Sequence, residues 1–221
     1  MPTLNTLMNK IRRDLRDTGN SDGVDRTWST QELTELIELG IAEVSRSYPR
    51  EMVSTVAVPE MLNSFHASSF ALPAGMDSVF RIDGLKYRID NTVSPIKEWY
   101  EVTDILEQEN GWGPYSGWEL HAGTVYVQPG RISGNTSHLR LVGYGDWTVE
   151  TLDINAEQAV RYYVTAEATF RLMNDRTMFQ QWQVNSGATD VSVPMINQNY
   201  VAARSRYDRL INRMRKLRRV G

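Results

Sequence analysis

Hydrophobic periodicity changes twice along this chain, and those changes restrict its fold more than any other feature. Apolar residues recur at three- and four-residue spacing through the first fifty residues and again from about residue 153. Between them the pattern switches to short β-type runs separated by Pro, Gly, Asn and Ser. Strands gathered between two helical segments favour an α+β architecture over a doubly wound sheet, where the two element types would alternate. The expected arrangement is a helical bundle built from residues 1–50 and 153–221, with an antiparallel β domain of residues 51–152 inserted between its halves.

The opening segment sets Leu4, Leu7, Met8, Ile11 and Leu15 on one helical face, and Thr18-Gly19-Asn20 supplies residues that tolerate the left-handed conformation of a helix stop. A second helix begins at Ser29, where Ser29-Thr30-Gln31-Glu32 fits a capping box and Trp28 can staple onto Leu33; its apolar face continues through Ile37, Ile41 and Val44 to Tyr48 and Pro49. In the central segment, Val56 and Val58, Phe70 and Leu72, and Val79 to Ile82 read as strands. Asp83-Gly84 then reads as a two-residue hairpin turn, because such turns need positive φ. A second hairpin is expected at Ala122-Gly123, the last clear strand at Leu139 to Tyr144, and one or two helical turns at Thr103 to Gln108. Helical spacing resumes at Asn155 as an N-cap with Gln158 three residues on, is interrupted at Asn174-Asp175-Arg176, and after a polar link restarts at Pro194.

Charge is concentrated at one end. Residues 204–221 carry eight basic side chains against Asp208, about +7, in a chain whose formal net charge is −3, which leaves the remainder near −10. Tyr200, Ala203, Tyr207, Leu210, Met214 and Leu217 share one face of the last helix, with Arg206, Arg209, Arg213 and Lys216 as a stripe beside them. Cations in that pattern can meet an acidic protein surface, a neighbouring subunit or phosphates. They also oppose the helix macrodipole, so solvated charge is the plain alternative.

Composition limits the chemistry. With 41% apolar and 23% charged residues in 221, the chain can bury a core and disorder is not the default. The absence of cysteine excludes disulfides and thiolate chemistry. The N-terminal pattern lacks the uninterrupted apolar run of a signal peptide, and no stretch approaches membrane-spanning length; synthesis inside a cell without bilayer insertion is expected. His66, His121 and His138 are scattered beyond metal-ligand spacing. Asn20, Asp22 and Gly23 sit at calcium-loop offsets, but Thr18 and Ser29 occupy the positions that need carboxylates. Gly111 to Gly117 is glycine-rich without the Lys-Ser/Thr ending of a phosphate loop. Trp112, Tyr115 and Trp118, with Trp99 and Tyr100, form instead a candidate aromatic surface for stacking sugars or bases, unless they fill a β core. The acidic pairs Asp153/Glu157 and Glu107/Glu109 lack an accompanying nucleophile and oxyanion donor. No cofactor, metal or catalytic residue is expected.

The opening helical pair with Trp28-Ser29-Thr30-Gln31-Glu32-Leu33, the strand end Phe70-Ala71-Leu72-Pro73, and the hairpin ending Val125-Tyr126-Val127-Gln128-Pro129 follow one another in a recognisable order. Leu139-Arg140-Leu141-Val142-Gly143-Tyr144, a long helix near Asn155 and a late Arg-rich helix complete it. This order resembles the head-to-tail adaptor (head-completion) proteins of tailed bacteriophages, and the likeness spans most of the chain. The resemblance implies a structural virion protein without enzymatic activity, made in the host cytoplasm and assembled as a twelve-fold ring at the head-tail junction. Its implied partners are further copies of itself, the portal protein, a downstream tail or nozzle protein, and double-stranded DNA passing without sequence-specific contact. Within that expectation Arg206, Arg209, Arg213, Lys216, Tyr207, Leu210, Met214 and Leu217 are the candidate portal or subunit contacts. The alternative expectation is a carbohydrate- or nucleic-acid-binding β module using Trp112, Tyr115 and Trp118, carried on a helical oligomerisation platform.

Overall fold

The computed structural model describes residues 3–19, 26–57, 68–88, 96–102, 118–127 and 136–220. They form helices α1 (Leu4–Asp14) and α2 (Thr30–Ser47), strands β1 (Arg50–Ala57), β2 (Ser68–Ala71), β3 (Ser78–Arg88), β4 (Ile96–Val102), β5 (Trp118–His121), β6 (Thr124–Val127) and β7 (Thr136–Gly145), then helices α3 (Ile154–Asn174), α4 (Arg176–Ser186) and α5 (Val193–Val220). The class is α+β, with a bundle of helices from both ends of the sequence and antiparallel sheets from the middle. Two units emerge: Met1–Pro49 with Trp147–Gly221, and Arg50–Asp146. The second boundary precedes the expected residue 152 because Trp147 belongs to the helices. Its backbone N–H donates to Ser45 Oγ (2.9 Å) and its indole N–H to the Tyr48 carbonyl (2.7 Å).

In the helical unit, α1 buries Leu7, Met8 and Ile11 as its spacing requires. It stops earlier than expected. Arg16 adopts φ 54°, the Arg16 N–H bonds Arg13 O (3.2 Å) and the Asp17 N–H bonds Arg12 O (2.8 Å), which together make a Schellman motif with arginine at the left-handed position. A non-glycine residue there costs about 1–2 kcal/mol. The cost is offset by the side chains around it: Arg12 Nη1 donates to Asp17 Oδ2 (2.5 Å) and to Trp28 O (3.0 Å), while the Thr27 N–H donates to Asp17 Oδ1 (2.7 Å). Burial works against both charges, holding Arg12 below and Asp17 above their ordinary values.

Ser29 then caps α2 as expected: its Oγ accepts from the Glu32 N–H (3.1 Å) and the Glu32 carboxylate accepts from the Ser29 N–H (2.8 Å), while Trp28 and Leu33 are fully buried in one cluster. Gly40 lets α2 approach α3, since an added Cβ would stand 3.1 Å from Val164 Cγ2. α3 begins two residues earlier than expected, because Asp153 rather than Asn155 is the N-cap and accepts from the Ala156 N–H (2.6 Å). Asp175 ends α3 and caps α4, as the interruption at 174–176 required.

In the β unit, one sheet has the order β1-β7-β3-β4 and the other β2-β6-β5, all antiparallel, around a core that includes Ile82, Trp118, Val125, Leu139 and Leu141. The Ala122-Gly123 hairpin forms with φ 49° and 76°. The Asp83-Gly84 turn does not. Both residues lie inside β3, paired with β4 on one side and β7 on the other. Asp83 is buried directly across from Arg140 and accepts from Arg81 Nε (2.9 Å) and Arg140 Nε (2.8 Å), so a tertiary ion cluster overrides local turn chemistry. Gly143 is needed where β7 meets β3, since a Cβ there would fall 1.9 Å from Ser78 O. Val58, Thr103 to Gln108 and Gly111 to Gly117 lie outside the described residues.

Two outcomes follow from the buried charges. Arg12→Met or Asp17→Asn alone lowers the denaturant-derived stability of the helical unit by about 3–5 kcal/mol, because the remaining charged or polar partner stays buried, while Arg12→Met with Asp17→Leu recovers most of the loss. Asp83 is raised by burial, but hydrogen bonds and charge from Arg81 and Arg140 outweigh this and hold it below its ordinary 3.8. Its contribution is therefore complete above that value and disappears as pH falls through the lower folded value. The protection factors of β7 amides, corrected for the intrinsic exchange rate at each pH, should fall on acidification in the native protein, with a smaller acid dependence in Asp83→Asn.

Candidate interaction surface

Because no catalytic constellation appears in the sequence, the surface with the clearest chemistry is that of α5. The helix starts where Ser192 O accepts from the N–H groups of Met195 and Ile196, with Pro194 in the first turn, and its 28 residues extend about 42 Å. It buries Ile196, Ala203, Tyr207, Ile211 and Met214. Tyr207 meets Tyr163 of α3 edge-on, with centroids 5.7 Å apart. Burial raises both hydroxyl pKa values, assisted at Tyr163 by Glu167 and Glu43, so both rings stay neutral.

This buried row corrects the expected one over its last two turns. Ile211 takes the core position assigned to Leu210, which is half-buried, and Leu217 is 63% exposed. A strict alternation of three- and four-residue steps drifts off the contact line of a straight 3.6-residue helix, and the extra four-residue step restores it. Tyr207 and Met214 are spent inside the bundle and offer no surface to a partner.

The cations whose side chains are described divide into two groups. Arg204 lies 5.8 Å and 5.3 Å from the ring centroids of Tyr163 and Tyr207 and 3.8 Å from Asp208. Arg215 Nε donates to Ser47 O (2.7 Å); Arg218 Nη2 donates to Pro49 O (2.5 Å), with its guanidinium 3.9 Å from the Tyr48 ring centroid. α2 ends at Tyr48-Pro49 without a glycine cap, so the carbonyls there need donors from elsewhere; α5 supplies those for Ser47 and Pro49, and Trp147 the one for Tyr48. Sequence reasoning missed this pairing; the only local signal was the absent cap.

Arg206, Arg209, Arg213 and Lys216 form the second group. All are exposed and none is paired with a described carboxylate; Arg209 Nε donates to Ser205 O one turn back on the same helix (3.2 Å). At 100° per residue they occupy an arc of about 80° over about 15 Å. Arg209, Asn212, Arg213, Lys216 and Leu217 line a shallow depression of about 500 Å³ in this face.

The other candidates disperse. Trp118 is 3% exposed within the β core, so it is no part of an aromatic contact surface, and Trp112 and Tyr115 lie outside the described residues. His121 is exposed beside the β5–β6 turn, His138 is half-buried in β7, and His66 lies outside the described residues. Asp153 is a helix cap and Glu157 accepts from Lys10 Nζ (2.6 Å), which separates that pair; Glu107 and Glu109 are not described. Ser29 is occupied by its capping box, and the calcium-loop positions Asn20, Asp22 and Gly23 are not described. Among the described residues no group of three or more His, Cys, Asp or Glu is placed to hold a metal ion, and no helix is long and apolar enough to cross a membrane.

No protein-family model matches the chain, and no curated protein matches it.

The two groups of cations should separate in stability measurements. Arg215→Ala with Arg218→Ala removes both charged donors at the end of α2 and a cation–π contact, lowering stability by about 2–3 kcal/mol in chemical denaturation. Gln at Arg209, Arg213 or Lys216 changes it by about 0.5 kcal/mol or less.

Proposed function

We propose that this protein is a structural component of a tailed-bacteriophage virion, a head-to-tail adaptor whose twelve copies form a ring that joins the portal to the tail and extends the DNA channel. In this reading it has no enzymatic activity, and Arg206, Arg209, Arg213 and Lys216 meet an acidic portal surface. The observation that carries the docking assignment is their exposure in one narrow arc while Arg204, Arg215 and Arg218 are engaged within the bundle. Leu217, exposed among them, favours a protein partner over a phosphate backbone, because an apolar side chain gains nothing from a phosphate. The excess of negative charge outside residues 204–221 suits a ring around passing DNA, since like charges keep a phosphate backbone from adhering. The aromatic-module alternative is weakened by the burial of Trp118.

Light scattering on the purified protein, alone and mixed with a candidate portal ring, tests the reading. A ring, or a monomer captured stoichiometrically by the portal, is the expected result; a stable monomer indifferent to portal rings overturns it. Changing Arg209, Arg213 and Lys216 together to Glu should leave helical circular dichroism intact and weaken portal capture at least tenfold. A steep salt dependence of binding to duplex DNA, lost in the same variant, would move the assignment of the stripe to DNA.

A further inference from the structure

A second feature of the helical unit lies apart from the part of the stripe tested above. A groove of about 500 Å³ runs between the end of α1, α3, Trp182 of α4 and the first half of α5. Val191, Met195 and Ala202 offer it apolar surface above the buried side chains of Leu15, Leu172, Trp182 and Ile196, and the Trp182 indole N–H donates to Leu15 O (2.9 Å), which fixes that floor in place. Arg16, Arg161, Arg206 and the carboxylate of Asp14 stand on its rim with Gln158, Gln198 and Asn199. Arg161 is held by a two-pronged contact with Asp14 (2.8–2.9 Å), so its charge is already answered. Arg16 and Arg206 are exposed and unpaired with any described carboxylate.

Arg16 is the unusual member. It holds the left-handed backbone of a Schellman turn, and the same turn at the end of α4 uses Gly187 at φ 65°, with matching bonds from Gly187 to Val184 O and from Ala188 to Gln183 O. Glycine serves that geometry without strain, so arginine at 16 places a strained residue and a cation at the lip of the groove.

We propose that this groove receives an extended acidic peptide segment of a partner protein, with apolar side chains on the floor and a carboxylate between Arg16 and Arg206. Charge complementarity selects the occupant. A purely apolar segment would strip water from two guanidinium groups without pairing them, and a phosphate chain would leave the exposed apolar surface of Met195 and Ala202 uncovered. The volume suits two or three side chains, and Gln158, Gln198 and Asn199 can serve the peptide backbone. This assignment shares Arg206 with the portal-docking reading and is otherwise independent of it, which the Arg16 and Arg213 variants separate.

Fluorescence anisotropy on the full chain tests it, with a labelled peptide Glu-Leu-Asp-Ile-Leu-Glu, a pool of octapeptides drawn from Glu, Asp, Leu and Ile, the amide analogue Gln-Leu-Asn-Ile-Leu-Gln, hexaglutamate and a single-stranded oligonucleotide. The expected result is saturable binding of the acidic-apolar probes, at least tenfold weaker for the amide peptide and hexaglutamate. Arg16→Gly should weaken binding about tenfold while raising the thermal midpoint, a combination that a purely structural role cannot give. Arg206→Gln should weaken it comparably, and Arg213→Gln should leave it unchanged. The proposal fails if neither the peptide nor the pool binds, or if hexaglutamate binds equally well. It also fails if Arg16→Gly stabilises without affecting binding, or if only the oligonucleotide depends on Arg16 and Arg206.

Discussion

Much of the helical unit depends on one buried guanidinium. Arg12 holds Asp17 twice, through its carbonyl on the Asp17 N–H and through its side chain on the Asp17 carboxylate, and with the same side chain it reaches the carbonyl of Trp28. Asp17 in turn accepts from Thr27. These contacts tie both ends of the connection between α1 and α2, so Trp28 enters the core at a fixed point and Ser29 is presented to cap α2. Burying two charges is costly in itself, and an apolar pair of the same shape can be at least as stable. What the ion pair adds is direction, because a guanidinium fork has few acceptable acceptor positions and an apolar contact has many.

The direction set at Trp28 carries through to α5. Once α2 is placed, its end at Tyr48-Pro49 presents carbonyls that Arg215 and Arg218 satisfy. That fixes the rotation of α5 about its own axis, because Arg218 follows Met214 by four residues on the buried side. With the rotation fixed, Arg209, Arg213 and Lys216 must face outward. Exposure of the stripe is therefore a consequence of the bundle's packing and not of the stripe's own contacts, so its charge can change with little effect on the fold. Cations in the last turns also suit the negative end of the helix macrodipole, which makes them inexpensive to keep there.

What was legible in the sequence was what is local. The capping box at Ser29, the hairpin at Ala122-Gly123 and the break at Asp175 each depend on residues within a few positions of one another, and each appears where the residue types require. The failures share the opposite property. Asp83-Gly84 has the chemistry of a turn, but Arg140, fifty-seven residues away, makes it a strand interior. Arg16 ends α1 in a conformation for which Gly19 looked the better candidate, because Asp17 is anchored by Arg12 and Thr27. The surface stripe of α5 was visible because helical periodicity determines which residues are neighbours. Which of its eight cations are consumed internally was not, because Ser47, Tyr48 and Pro49 lie more than 160 residues earlier.

The helical unit ends two of its helices with the same hydrogen-bond pattern and different residues, and the comparison separates what folding needs from what it tolerates. At Gly187 the left-handed turn is intrinsic to the residue, and nothing within 4 Å would meet an added Cβ. At Arg16 the turn is imposed by its neighbours, and the strain is held by the Arg12–Asp17–Thr27 contacts. A fold selected for stability alone would place glycine at both sites, as either turn accepts it. The arginine is intelligible if its charge has a use at the lip of the groove, where the α1 terminus, α3 and α5 converge and where Arg206 brings a second cation unpaired with any described carboxylate.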